Sequence, residues 1–184
     1  SVFAQAGFPF TRMADLSETL VVLSSKVSPE EVSAYLSVLG HFGAITGYPA
    51  VGVQVTMGET HLDEDKDVLM ITEGNQPWLD SLAKSLPALV SGQERRFAIS
   101  DLGYKGNNWL DYNNPTQAKA ARTDIVYRSD GQQAFFAGFQ SPLNKQRSVV
   151  LLASSNAEGL ESAISGLTQR SHEIAGSLAV VKAD

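Results

Sequence analysis

The 184-residue sequence contains no cysteine, and this absence removes several kinds of chemistry at once. A chain without cysteine forms no disulfide, offers no thiolate nucleophile and cannot hold zinc through sulfur. The absence is equally compatible with a cytosolic and a periplasmic location. Compartment therefore has to be inferred from something other than cysteine usage.

Long apolar runs and basic clusters are missing too. No apolar stretch approaches the ~18–20 residues needed to span a bilayer. The formal net charge is −6, and Arg95-Arg96 is the only pair of adjacent basic residues. Nucleic acids and anionic lipid surfaces attract basic clusters, so we expect neither to be a partner.

The composition that remains is ordinary for a soluble globular domain, with 43% hydrophobic and 18% charged residues. The length suits one domain with a sizeable core. Residues 1–16 hold three phenylalanines without regular spacing, and we interpret them as a lead-in or linker packed on the body. Residues 17–184 are predicted to form the domain. Because the chain starts at Ser1 without a signal-peptide pattern, we interpret it as a piece of a longer protein.

Short β-branched runs alternate with helical patterns. Ser28, Pro29 and Glu31 form the capping signature of a helix that we expect to end at Gly47. Asn156 is expected to cap a second helix. Strands are predicted at Thr19–Ser24, Val51–Met57, Asp67–Thr72, Ser148–Ser154 and Ser177–Lys182.

A β-hairpin is predicted in the second half of the chain. Asp124–Arg128 and Ala134–Phe139 flank the turn residues Asp130-Gly131. Strands that alternate with helices, with one hairpin among them, predict an α/β fold. The predicted fold class is a three-layer flavodoxin-like domain with a mostly parallel, partly mixed sheet.

A flavodoxin-like fold raises the question of a bound flavin. The loop after the first strand would hold a phosphate through hydroxyls and backbone N–H groups at a helix N-terminus. Here Pro29 removes one N–H donor, and Glu30 and Glu31 bring negative charge to the same place. We therefore expect no cofactor.

Neither a metal site nor a catalytic group is predicted. The acidic run at His61–Asp67, HLDEDKD, lacks the glycine and glutamate that an EF-hand loop requires, so we interpret it as a solvated acidic loop. The three histidines show no metal-binding spacing, and no G-x-S-x-G elbow occurs. The chain is not expected to be an enzyme.

Two kinds of ligand remain to be considered, a sugar and a cyclic dinucleotide. Tyr104, Trp109 and Tyr112 lie in a Gly/Asn-rich segment and either stack on a sugar ring or pin a long loop to the body. Cyclic dinucleotides are usually gripped by arginine clusters, and no R-x-x-x-R or D-x-S-x-x-G pattern occurs. The one R-x-x-D match, at Arg12–Asp15, has no second arginine near it in the sequence. Direct binding of cyclic di-GMP is therefore disfavoured.

Three separated stretches carry a resemblance to a known family. They are "FPFTRMADL" at Phe8–Leu16, "GAITGYP" at Gly43–Pro49 and "GFQSPLNKQRSVVLLA" at Gly138–Ala153. Together they resemble the periplasmic B subunit of bacterial cellulose synthase, and within it the second flavodoxin-like domain. The resemblance covers nearly the whole chain.

The resemblance implies a non-catalytic domain that supports cellulose synthesis and export. Its implied partners are the catalytic subunit of cellulose synthase, other domains and copies of the periplasmic B subunit, and the glucan chain. The implied location is the periplasm, attached to the inner membrane through a C-terminal anchor that this chain does not contain. Guiding the emerging glucan through the three aromatic residues is the alternative function.

The polar segment at Gln140–Arg147 lies directly before a predicted buried strand. No nucleophile–base pair is visible in it, and Pro142 interrupts strand pairing. We interpret it as a structural loop that contacts a neighbouring domain or subunit. Gln140, Asn144 and Arg147 are the candidate interaction residues.

Overall fold

A computed structural model describes residues 2–58, 65–74, 76, 88–91, 94–99, 123–128, 133–141, 143–174 and 178–182. Within these residues nine strands are assigned in chain order: β1 (Thr19–Leu23), β2 (Gln54–Met57), β3 (Asp67–Glu73), β4 (Ala88–Ser91), β5 (Glu94–Ile99), β6 (Thr123–Arg128), β7 (Gln133–Gln140), β8 (Ser148–Ser154) and β9 (Leu178–Lys182). The helices are α1 (Val2–Ala6), a 3₁₀ turn at Phe10–Arg12, α2 (Pro29–Thr46) and α3 (Ala157–Gln169).

The main sheet has six strands in the order β2-β1-β3-β8-β7-β9. β2, β1, β3 and β8 are parallel neighbours, and β7 is antiparallel to both β8 and β9. The predicted α/β fold with a mostly parallel, partly mixed sheet is therefore confirmed. If β7 is set aside, the order is that of a flavodoxin-like sheet.

The hairpin predicted around Asp130-Gly131 is wrong. β6 pairs with β5 in a separate three-stranded sheet, whereas β7 pairs with β8 and β9. Phe135 and Phe136 point to opposite faces of β7, and both are buried. A strand that is apolar on both faces is most stable between two neighbours inside a sheet, which a two-stranded hairpin does not provide.

Both long helices begin at the predicted caps. The Ser28 hydroxyl accepts from the backbone N–H of Glu31 at 3.1 Å, completing the capping box. α2 ends where Gly47 adopts φ 70°, a left-handed conformation that glycine tolerates without strain. The Asn156 side chain accepts from the backbone N–H of Gly159 at 3.0 Å at the start of α3. Among the described residues, no helix combines the length and hydropathy of a bilayer-crossing segment.

Two apolar clusters cover the two faces of the main sheet. The first contains α2 and α3 together with inward side chains of the strands, among them Val21, Leu69, Phe136 and Leu152. The second contains strand residues only, within the part of the chain that the structure describes. No helix among the described residues packs on that second face, so the third layer of the predicted three-layer fold stays a prediction.

The position of the two long helices sets the hand of their crossovers. β1 leads through α2 to β2 in one direction along the sheet, and β8 leads through α3 to β9 in the other. Two right-handed crossovers that run in opposite directions place their helices on opposite faces. Because α2 and α3 pack on the same face, the two crossovers have opposite hands.

The segment before β1 contributes to the first cluster. The ring of Phe10 stacks on Phe42 of α2 with their centroids 5.7 Å apart, and Phe3 meets both rings edge-on. Leu16 is fully buried. The segment that precedes the first strand thus contributes Phe10 and Leu16 to the core.

Replacement of Phe10 by alanine tests this packing. Phe10 is 2% exposed, and we expect Phe10→Ala to lower the free energy of unfolding by about 3–5 kcal/mol in urea titrations. Met13→Ala is the matched control, because Met13 lies in the same segment but is 45% exposed. Equal losses for the two variants would contradict the packing of Phe10.

Candidate functional site

The carboxyl end of the parallel strands is where flavodoxin-like folds bind ligands, beside the strand at which the chain reverses direction along the sheet. In this chain that strand is β1, which has β2 on one side and β3 on the other. The loop from Ser24 to Ser28 leaves β1 at this end and leads into α2. Its donors define the candidate ligand site.

The side chain of Glu31 occupies this site. It is completely buried, and one carboxyl oxygen accepts from the Ser24 hydroxyl and from the Glu73 backbone N–H at 2.9 Å. The second oxygen accepts from the Ser28 backbone N–H at 3.2 Å. The Ser28 hydroxyl lies 2.7 Å from a carboxyl oxygen of Glu73. The polar groups of this corner are therefore bonded to one another.

This arrangement explains why the corner does not fit a flavin phosphate. Backbone N–H groups and serine hydroxyls at a helix N-terminus are the donors that bind anions. Here they bind the protein's own carboxyl group. A phosphate would have to displace Glu31 and would then meet Glu73. The sequence predicted the cap formed by Glu31, but not its bonds to Ser24 and Glu73.

The opposite end of the sheet holds the loop between β7 and β8, where the structure brings Gln140, Asn144 and Arg147 together. The Gln140 side chain donates to the Lys145 carbonyl at 2.6 Å. The Asn144 side chain accepts from the Gln146 backbone N–H at 2.9 Å. The backbone N–H of Arg147 donates to the Asn144 carbonyl at 3.0 Å. Gln140 and Asn144 thus brace the loop from within.

Arg147 attaches this loop to the rest of the sheet. Its Nη1 donates to Glu18 Oε2 at 2.7 Å and to Asp67 Oδ2 at 3.4 Å. Arg12 donates to the same Asp67 oxygen and lies 3.5 Å from Glu18 Oε2. The backbone N–H of Ser148 donates to Asp67 Oδ1 at 2.8 Å. We call Arg12, Glu18, Asp67 and Arg147 the Asp67 cluster.

Asp67 corrects the interpretation of the acidic run as a solvated loop. Its side chain is 2% exposed and lies at the first position of β3. An acidic residue immediately before a run as apolar as VLMI was the available signal, because a charge there needs cationic partners. Those partners lie far away in sequence. Residues 61–64 of the acidic run lie outside the described residues.

The hydrogen bond between Arg147 and Glu18 shifts the pKa of both groups. The hydrogen bond from Arg147 holds the pKa of Glu18 below its usual value. The same hydrogen bond raises the pKa of Arg147. Both shifts favour the charged forms, so the loop is held by an ion pair at neutral pH.

The loop presents an exposed apolar side chain between its two anchored ends. Leu143 is 55% exposed, and Lys145 and Gln146 beside it are exposed as well. The Leu143 backbone N–H donates to the Ser141 hydroxyl at 3.3 Å. A protruding leucine on a braced loop loses little conformational freedom when it binds, which suits a contact with another protein.

The remaining candidate residues are less informative. Tyr104, Trp109 and Tyr112 lie outside the described residues. His41 packs beside Phe42 on α2, and His172 is exposed near the end of α3. Among the residues that the structure describes, no group of three histidine, aspartate or glutamate side chains is arranged to hold a metal ion.

The family model and the similar proteins agree on one family. A family model described as cellulose synthase BcsB, second FD domain, matches residues 1–152. A protein named "Cyclic di-GMP-binding protein" from Pseudomonas fluorescens (strain SBW25) is 41% identical over 98% of this chain. A protein of the same name from Xanthomonas axonopodis pv. citri (strain 306) is 35% identical over 82% of it. "Cellulose synthase 2" of Novacetimonas hansenii is 30% identical over 92% of it.

These relatives are much longer than the chain. It spans 25% of the Pseudomonas protein, 19% of the Xanthomonas protein and 11% of the Novacetimonas protein. The similarity thus concerns one portion of each relative.

Substitution of Glu31 tests the filled ligand corner. Glu31→Gln puts an NH₂ group where one carboxyl oxygen now accepts a hydrogen bond, so we expect a loss of about 1–3 kcal/mol in the free energy of unfolding. Glu30→Gln removes the same charge from the neighbouring exposed position and should change stability by less than about 0.5 kcal/mol. Equal effects of the two substitutions in urea titrations would contradict the role given to Glu31.

Acid titration tests the pairing of Glu18 with Arg147. Because the pKa of Glu18 is lowered from 4.5 in the folded protein, the pair contributes stability above that value, and the contribution disappears as pH falls through the folded pKa. We expect the side-chain carboxyl signal of Glu18 in NMR spectra to titrate below 4.5. Arg147→Gln should move the midpoint upward, and Arg12→Gln should move it less. An unchanged midpoint in Arg147→Gln would exclude the pairing.

Proposed function

Because the chain belongs to the family described as cellulose synthase BcsB, second FD domain, we propose that it is a non-catalytic structural domain of the B subunit of a cellulose synthase complex. Its role is to make contacts with the catalytic subunit, with other domains and with further copies of the B subunit. The proposed location is the periplasm. Attachment to the inner membrane is assigned to a C-terminal anchor of the longer protein.

The observation that carries this proposal is the contrast between the two ends of the sheet. At the carboxyl end, Glu31 takes the donors that a phosphorylated cofactor would need. At the amino end, the Asp67 cluster holds a loop whose leucine is exposed. The first end favours a domain without an anionic cofactor, and the second offers a surface for a protein partner.

The names of the relatives raise the question of cyclic di-GMP. Two of the relatives above are named for binding it. This chain has no R-x-x-x-R or D-x-S-x-x-G pattern, and the arginine of its R-x-x-D match, Arg12, bonds to Asp67. We propose that a different part of the complex binds the nucleotide. This domain then supports the assembly of the complex that the nucleotide regulates.

Direct binding of glucan is the alternative function. Tyr104, Trp109 and Tyr112 provide flat faces on which sugar rings stack, and asparagine and aspartate side chains lie close by in sequence. A saturable shift of the Trp109 indole signal on addition of cellopentaose would establish this alternative. A contact with protein alone leaves that signal unchanged.

The contact role of the loop is tested in the full-length protein. Leu143→Asp places a charge at the exposed tip without touching the Asp67 cluster, and we expect roughly tenfold less catalytic subunit to co-purify. Glucan synthesis from UDP-glucose in membrane vesicles should fall in parallel.

Leu36→Asp is the matched control, because Leu36 is similarly exposed at 59% but lies on α2. Normal assembly in Leu36→Asp together with reduced assembly in Leu143→Asp supports the proposal. The opposite pattern would assign the contact to α2, and normal assembly in both variants would contradict a contact at either position.

A further inference from the structure

Two segments that are far apart in the sequence meet at one oxygen atom. Arg12 lies in the segment before β1, and Arg147 closes the loop between β7 and β8. Both guanidinium groups bond to Asp67 Oδ2, and both approach Glu18 Oε2. The two cations therefore share the same two acceptors.

This sharing makes the two arginines energetically dependent on each other. Asp67 is buried, so its interactions are screened far less than those of exposed charges. Its Oδ1 is already bonded to the backbone N–H of Ser148. Arg12 and Arg147 consequently compete for Oδ2 while they repel each other. Displacement of either one changes the best position for the other.

The backbone close to Arg12 adds an independent observation. Leu16 has φ 57°, in the left-handed region that leucine rarely adopts, although its side chain is fully buried. Such a conformation is strained and persists only where surrounding contacts impose it. The segment therefore joins β1 through a strained residue whose conformation depends on the contacts around it.

We propose that the Asp67 cluster couples the segment before β1 to the β7–β8 loop. In the observed arrangement Arg12 bonds to Asp67, and Arg147 lies closer to Glu18 than to Asp67. When Arg12 withdraws, Arg147 turns from Glu18 to Asp67 and takes the end of the loop with it. By linkage, a partner that binds the loop alters the segment before β1 in return.

The test begins with removal of one cation and observation of the other segment. In Arg12→Gln we expect the amide signal of Ser148 to shift and its hydrogen exchange to become roughly tenfold faster. Arg12→Lys keeps the charge and should restore part of the protection. Lys26→Gln removes a positive charge at the opposite end of the sheet and is the control, with no change expected at Ser148.

The reciprocal measurement completes the test. Arg147→Gln should shift the amide signals of Arg12 and Leu16. The double variant should lose more stability than the sum of the two single losses, because each single variant relieves the repulsion and leaves Asp67 Oδ2 to the remaining arginine. Cross-perturbation together with this non-additivity supports the coupling. If each variant changes signals in its own segment only, and the losses add, the coupling does not exist.

Discussion

The Glu31 side chain joins β1, β3 and the first turn of α2 at the carboxyl end of the sheet. It accepts hydrogen bonds from Ser24, Ser28 and Glu73, each of which belongs to a different part of that corner. Burial of a carboxyl group is costly unless such donors surround it, so these hydrogen bonds hold the start of α2 against β1 and β3. Its formation fixes where α2 begins and uses up the donors on which a flavodoxin-like ligand site relies.

At the amino end of the sheet a second buried carboxyl group, that of Asp67, also needs donors around it, but these donors come from peripheral segments. Asp67 is buried beside two arginines, but one of these comes from the lead segment and the other from a loop. The buried charge therefore ties peripheral segments to the sheet and keeps Leu143 in a defined place. For a domain proposed to work through contacts with other proteins of a complex, a braced loop is the feature that the fold has to supply.

Much of the fold was predictable from local patterns, and the failures involve distant partners. The cap at Ser28 depends on residues three positions apart, and the buried strands depend on short apolar runs, so both could be predicted. The pairing of β7 could not, because Asp130-Gly131 indicates a turn but not which strands pair. Asp67 was misplaced for a related reason: its partners, Arg12 and Arg147, lie on either side of it at long sequence separation.

The central claim is that the protein's own carboxyl group fills the ligand corner. The most direct measurement is a titration of the ¹⁵N-labelled protein with flavin mononucleotide, followed at the backbone amides of Ser28 and Glu73, which both donate to Glu31. The account predicts that these two signals do not move up to millimolar ligand. Saturable shifts at both amides would contradict it, because they would mean that a phosphate displaces Glu31.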